Sequence, residues 1–219
     1  MKNVLMFRNL LPAAALALGL AVPAFAGDDP ATPAAAPAVA STGGHGLLGQ
    51  NYASLGYVYT DISDTSVNAS GYKFALNQGV RDGLDTLLEY DYLRSDETGF
   101  GRASQQILDA GVRGYVNYGG LKPYAEAGVG WAWLHAPAGA RENSFVWFAG
   151  VGAELQAAPD FSITPFVRFS YANSFTNHQQ WDYGVKANYW VTEHVGLMAT
   201  LSRDNSRDMS YGAGVNFRF

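Results

Sequence analysis

The sequence contains no cysteine. That excludes a disulfide framework, and it excludes acylation of a lipoprotein-type cysteine after export. Charged residues make up only 15% of the chain, and acids outnumber bases 19 to 14, for a net charge of −5. A nucleic-acid partner would call for a basic patch, which is missing. The four histidines, His45, His135, His178 and His194, stand far apart without metal-ligand spacing, so no metal and no cofactor is expected. Past residue 26 no apolar run approaches the roughly 20 residues that a transmembrane helix needs.

What is present begins with a basic start at Lys2 and Arg8, an apolar stretch from Leu10 to Val22 broken by Pro12, and the small-x-small triplet Ala24-Phe25-Ala26. Together these read as a cleaved secretory signal peptide over 1–26. Its removal takes away two bases and no acids, moving the net charge from −5 to −7. Residues 27–46 are rich in Pro and Ala with few large apolar side chains, and are predicted to be a flexible linker. From 47 to 219 there is no further shift in composition, which predicts one domain.

That domain divides into alternating runs of about ten residues separated by turn signals. Ten strands are expected, over 50–61, 67–77, 83–94, 104–116, 122–134, 144–156, 161–171, 181–190, 194–203 and 209–219, with eight as the alternative count. The breaks at Asn117–Gly120, Ala157–Asp160 and Val191–Glu193 are tight, whereas 95–103, 135–143 and 172–180 are longer and polar. An exported chain without an apolar helix can enter a bilayer only as a closed barrel, because no other sheet satisfies its backbone hydrogen bonds in lipid. Short turns inside and longer loops outside are expected of such a barrel.

The placement of charge sharpens this expectation. One face of each run is apolar, for example Leu55, Tyr57 and Tyr59, or Ala125, Ala127, Val129, Trp131 and Trp133. The other face carries Lys73, Asp85, Glu89, Asp91, Asp109, Arg113, Glu126, Glu154, Arg168, Asp182, Lys186 and Arg218. Only Arg94 and Arg203, at strand ends, break the parity. A base on the lipid face near the midplane costs about 2–4 kcal/mol, which is a physical reason for the segregation. A soluble β-sandwich also alternates, but it buries its apolar face and has no need to gather aromatics at strand ends. Here Trp131, Trp133, Phe145, Trp147, Trp181 and Tyr183 cluster at the predicted outer rim, as an interfacial girdle would. A helical reading of 104–116 is weakened by Gly111 and Gly114.

The hairpin Lys122-Pro-Tyr-Ala-Glu-Ala-Gly-Val-Gly-Trp-Ala-Trp133, followed by Phe148-Ala-Gly-Val-Gly-Ala-Glu154, resembles the small outer-membrane barrels of the OmpA/OmpX-like superfamily. The final strand, with Tyr211, Gly212, Phe217 and Phe219, is similar to the signal read by the barrel-assembly machinery. The resemblance spans about 47–219 and implies an integral β-barrel of the bacterial outer membrane, with lipid and that machinery as partners. It specifies membership, not activity, and the best-known barrels of the superfamily have eight strands.

A barrel of this size is filled largely by its own side chains. Symmetry about the hairpin centres sets Arg113 opposite both Glu126 and Asp85, and Glu89 opposite Asp109 with Lys73 alongside. Two facing carboxylates in a confined space require a cation or a proton nearby. The expected lumen is therefore a polar network of Lys73, Asp85, Glu89, Asp109, Arg113, Glu126, Glu154, Arg168, Asp182 and Lys186 that holds the barrel shut. The sharper alternative is a gated path for ions or very small solutes, with Arg113 exchanging partners among Asp85, Glu126 and Glu154. An enzyme would need a base beside a nucleophile at the rim. His135 with Ser144 and Ser174 with His178 are the candidates, but no acid orients either histidine and no hydrolase motif accompanies them. A surface ligand could also be held by the polar loops Asp96–Arg102 and Ala172–His178. The expectation is a non-enzymatic outer-membrane barrel with a structural or cell-surface role.

Overall fold

The structure, a computed structural model, describes residues 46–63, 65–96, 101–136, 140–175 and 178–219. The expected signal peptide over 1–26, the expected linker residues 27–45 with His45, and positions 64, 97–100, 137–139 and 176–177 lie outside the described residues.

Ten antiparallel strands follow one another: β1 (Tyr52–Asp61), β2 (Asn68–Arg81), β3 (Leu84–Ser95), β4 (Ser104–Tyr115), β5 (Leu121–His135), β6 (Arg141–Ala158), β7 (Phe161–Ala172), β8 (Gln179–Trp190), β9 (Val195–Asp204) and β10 (Met209–Arg218). Each pairs with its sequence neighbours, and β1 pairs with β10, so the sheet closes into a barrel without an edge. Among the described residues there is no helix. The count of ten stands; eight does not.

Strand ends differ from expectation in places. β1 starts at Tyr52, not at residue 50, and residues 50–51 belong to a separate turn. β2 runs on to Arg81 and β6 to Ala158, each ending in a bulge, between Gly79 and Arg81 and between Gln156 and Ala158. The loop expected over 135–143 shrinks, because β5 keeps His135 and β6 takes up Arg141, which is its register partner. Continued backbone pairing outweighs the turn propensity of that stretch.

The short connections, such as Asp82–Gly83, lie at one end with Tyr52 and Arg218. Gly83 has φ +79°, the left-handed conformation that a two-residue hairpin turn demands. This is called the turn end below, and the opposite rim the loop end. Short turns belong to the inner, periplasmic side of such barrels.

Period-2 alternation places apolar residues outside throughout the wall. Tyr72 is 60% exposed and Val129 51% exposed, and Leu55, Leu108, Val151, Leu197 and Phe217 are exposed with them. Buried charge is on the opposite face: Asp85, Glu89, Asp109, Arg113 and Glu154 are all below a tenth exposed. An apolar exterior around an ionic interior inverts the pattern of a water-soluble sandwich, and lipid is the solvent that it suits. Arg94 and Arg203 are exposed at strand ends, where water is within reach. Of the rim aromatics, Trp131, Phe145, Trp147, Trp181 and Tyr183 are exposed and Trp133 is half-buried. They form a band of ring contacts, with Trp131 against Phe145 at 6.5 Å and Trp147, Phe169 and Trp181 in series at 5.3 and 4.9 Å.

Candidate functional site

The lumen gathers the charged side chains, and its geometry begins with two hairpin registers. Arg113 is the Cα partner of Asp85 on β3 and of Glu126 on β5, and Glu89 is the partner of Asp109. Partnership in register does not decide which side chains meet. Arg113 donates from Nε and Nη2 to Glu126 Oε2, at 2.9 and 2.7 Å, and its guanidinium lies 4.9 Å from the Tyr124 ring centre. The expected row of acid, base and acid is therefore half formed. Asp85 instead accepts hydrogen bonds from Asn77 Nδ2 at 3.1 Å and from the backbone N–H of Gly49 at 3.0 Å. Glu154 is likewise not a partner of Arg113: it accepts from the N–H of Leu47 at 2.6 Å and lies 3.7 Å from Lys122 Nζ.

At mid-strand the facing carboxylates receive their cation from across the barrel. Arg168 on β7 reaches over to β3 and β4, with Nη1 2.5 Å from Glu89 Oε2 and Nη2 2.8 Å from Asp109 Oδ2. Lys73 adds a second charge, 3.6 Å from Glu89 and 3.2 Å from Asp91. Under this clamp lies Phe148, 1% exposed, with the Arg168 guanidinium 3.8 Å above its ring centre. The ring fits because Gly111 and Gly128 face it; a Cβ at Gly111 would come within 2.9 Å of Phe148 Cζ. Two charges bound to one guanidinium and a desolvated ring beneath it make a strong closure, since each ion would be costly to strand alone.

The remaining expected residues lie on either side. Lys186 on β8 lies over the Phe166 ring at 5.0 Å and makes no ion pair among the described residues. Asp182 accepts from Gln180 Nε2 at 3.2 Å. At the turn end Arg218 lies 4.0 Å over the ring of the inward-facing Trp190 and donates to the Glu193 carbonyl at 3.3 Å. Phe148 and Trp190 escaped sequence reasoning, although both occupy charge-face parity and so are inward by position.

Two cavities flank the clamp. The larger, about 290 Å³, extends to the loop end past Phe175 and His178; the smaller, about 80 Å³, lies toward the turn end beside Leu48, Ser54 and Glu154. Lys73, Tyr124, Lys186, Met198 and Thr200 line both.

Ser144 Oγ donates to the Phe145 carbonyl and accepts from the N–H of Ser174, while His178 Nδ1 lies 3.0 Å from the Ala172 carbonyl and its ring stacks on Tyr171. Neither His135 with Ser144 nor Ser174 with His178 is hydrogen-bonded among the described residues. Those residues also hold no group of three His, Cys, Asp or Glu able to take a metal ion.

No family model matches the chain, and no curated protein matches it. Among solved structures, the translocator domain of the autotransporter NalP from Neisseria meningitidis is similar over 80% of this chain and 90% of that domain, at 12% identity and a TM-score of 0.51. The chain has the fold of an outer-membrane β-barrel. Other similar structures of this kind include the NanC porin, at 11% identity over 76% of this chain and all of that one, with a TM-score of 0.48. OprG of Pseudomonas aeruginosa is 12% identical over 80% of this chain and 98% of its own, with a TM-score of 0.44.

Proposed function

We propose that the protein is a non-enzymatic outer-membrane barrel with a structural or cell-surface role, its lumen held shut by an ionic network. The observation that supports this most is the clamp of Arg168 on Glu89 and Asp109, seated on Phe148. It joins β7 to β3 and β4 across the interior, so the barrel is braced where a pore would need open space. Ser144 and His178 are each turned to a backbone carbonyl, not to the other member of their candidate pair, which supports a role without turnover. The outward Tyr211, Phe217 and Phe219, with Gly212 on the inner face between them, support recognition of β10 by the barrel-assembly machinery.

Planar-bilayer recording tests the closed state. Purified native protein is expected to give no steady conductance, and Arg168→Ala is expected to give discrete openings. Steady channels from the native protein would sink the reading. A second reading, a narrow gated channel, is favoured by the residues shared between the two cavities: Lys73, Lys186, Met198 and Thr200 line both, so movement of these side chains would connect them beside the clamp. Brief openings of native protein under applied voltage would favour it.

A further inference from the structure

Residues 46–50 precede β1 outside its ladder, yet Gly46 and Leu48 are buried, Leu48 to 3% exposure. The segment turns back on itself, Gln50 N–H donating to the Leu47 carbonyl at 3.2 Å, and Gly49 takes φ +83° to make the turn. Two of its backbone N–H groups point at lumen carboxylates: Leu47 at Glu154 (2.6 Å) and Gly49 at Asp85 (3.0 Å). Those acids are 2% and 0% exposed. Backbone N–H groups donated to a desolvated carboxylate are charge-assisted bonds, about twice as strong as neutral ones. The wall answers with donors of its own, Lys122 Nζ to the Leu48 carbonyl at 3.0 Å and Asn77 Nδ2 to the Gln50 carbonyl at 2.8 Å. Leu47 and Leu48 form part of the lining of the smaller cavity.

We propose that Gly46–Gln50 is a cork: it seals the turn end of the lumen by seating on Asp85 and Glu154, and it can be withdrawn as a unit to open the inner cavity. Three features separate a cork from an ordinary strand lead-in. The β1 ladder to both neighbours begins at Tyr52, and the cork stops short of Asn51, whose carbonyl accepts from Phe219 N–H at 3.2 Å and whose side chain accepts from Gly79 N–H at 2.9 Å, so withdrawal leaves the pairing between strands intact. The seat is made of side chains without close ion partners among the described residues: there Asp85 has no base within salt-bridge reach, and Glu154 has Lys122 at 3.7 Å. The fit is specific to glycine at two points, since a Cβ at Gly46 would collide with the Glu154 carboxylate and one at Gly49 with the Tyr115 hydroxyl.

The absence of native cysteine permits single-cysteine reporters. Ser54→Cys reports on the inner cavity, and Thr60→Cys on the larger one. Each is exposed to a small charged methanethiosulfonate in folded, lipid-reconstituted protein, with folding checked by heat-modifiable gel mobility. Leu48→Asp and, separately, Gly49→Val should dislodge the cork, and neither changes a residue of the strands. The expected result is a tenfold or greater acceleration at position 54 with no change at position 60. Equal rates at 54 with and without the cork substitutions overturn the proposal. So does acceleration at both positions, which would mean that the whole barrel has loosened.

Discussion

The two halves of the lumen are built differently. From β3 to β7 the interior is crowded: Phe148, Arg168, Arg113 and Glu126 fill it, and Glu89 and Asp109 are tied down from the far wall. From β8 round to β2 the inner face at mid-strand carries Gly56, Gly212, Gly214 and Thr200 between Lys186 and Lys73, with Met198 as the long apolar side chain reaching toward Gly56 and Gly214. Closure is therefore one-sided. Stability is concentrated where ions and a ring interlock, and Lys73, Lys186, Met198 and Thr200, which line both cavities, lie on β2, β8 and β9.

The strongest test of that contrast compares two cations. Arg168→Ala leaves Glu89 and Asp109 facing each other with Lys73, 3.6 Å from Glu89, as the cation within salt-bridge reach among the described residues, and should cost about 3–5 kcal/mol in unfolding from lipid vesicles by urea. Lys186→Met in the open half removes a charge with no ion partner and should cost below about 1 kcal/mol. Equal losses would erase the distinction. A smaller effect separates two inward glycines. Gly128→Val drives a side chain into Phe148 and should destabilise by about 1–3 kcal/mol on the same assay. At Gly212 the nearest atom to an added Cβ is Thr200 Cβ at 3.4 Å, so Gly212→Val should be tolerated with unchanged heat-modifiable mobility. The least effect belongs to the closing seam, where Thr60 Oγ1 and Ser210 Oγ share a 2.9 Å hydrogen bond between β1 and β10. Thr60→Ala should cost about 0.5–1.5 kcal/mol, and a larger loss would place the stability at the seam and not in the crowded half.

Much of the wall is legible in the chain because the rules that build it are local. Lys73, Glu89, Arg113 and Glu126 can be assigned to the inner face from period 2 alone, and a short turn such as Asp82–Gly83 fixes which residues of β2 and β3 face each other. The site is less legible. Arg168 meets Glu89 and Asp109 across the lumen, between strands that share no hairpin, and no count along the sequence reveals that span. Asp85 pairs in register with Arg113 yet bonds to Gly49, because Glu126 already holds the guanidinium and the N-terminal turn offers donors at the right depth. Residues 46–50 escaped notice since they have no alternation and read as the end of a linker or the start of a strand.

The sequence by itself determined the exported barrel character, the ten strands, and which side chains point to lipid or to the lumen. These follow from alternation and turn chemistry, which act between neighbours in the chain. Tertiary structure alone decided which charges meet, that Phe148 lies beneath Arg168, and that Gly46–Gln50 returns into the mouth. Those outcomes depend on the diameter and tilt of the closed sheet, and a barrel acquires both only when β1 finds β10.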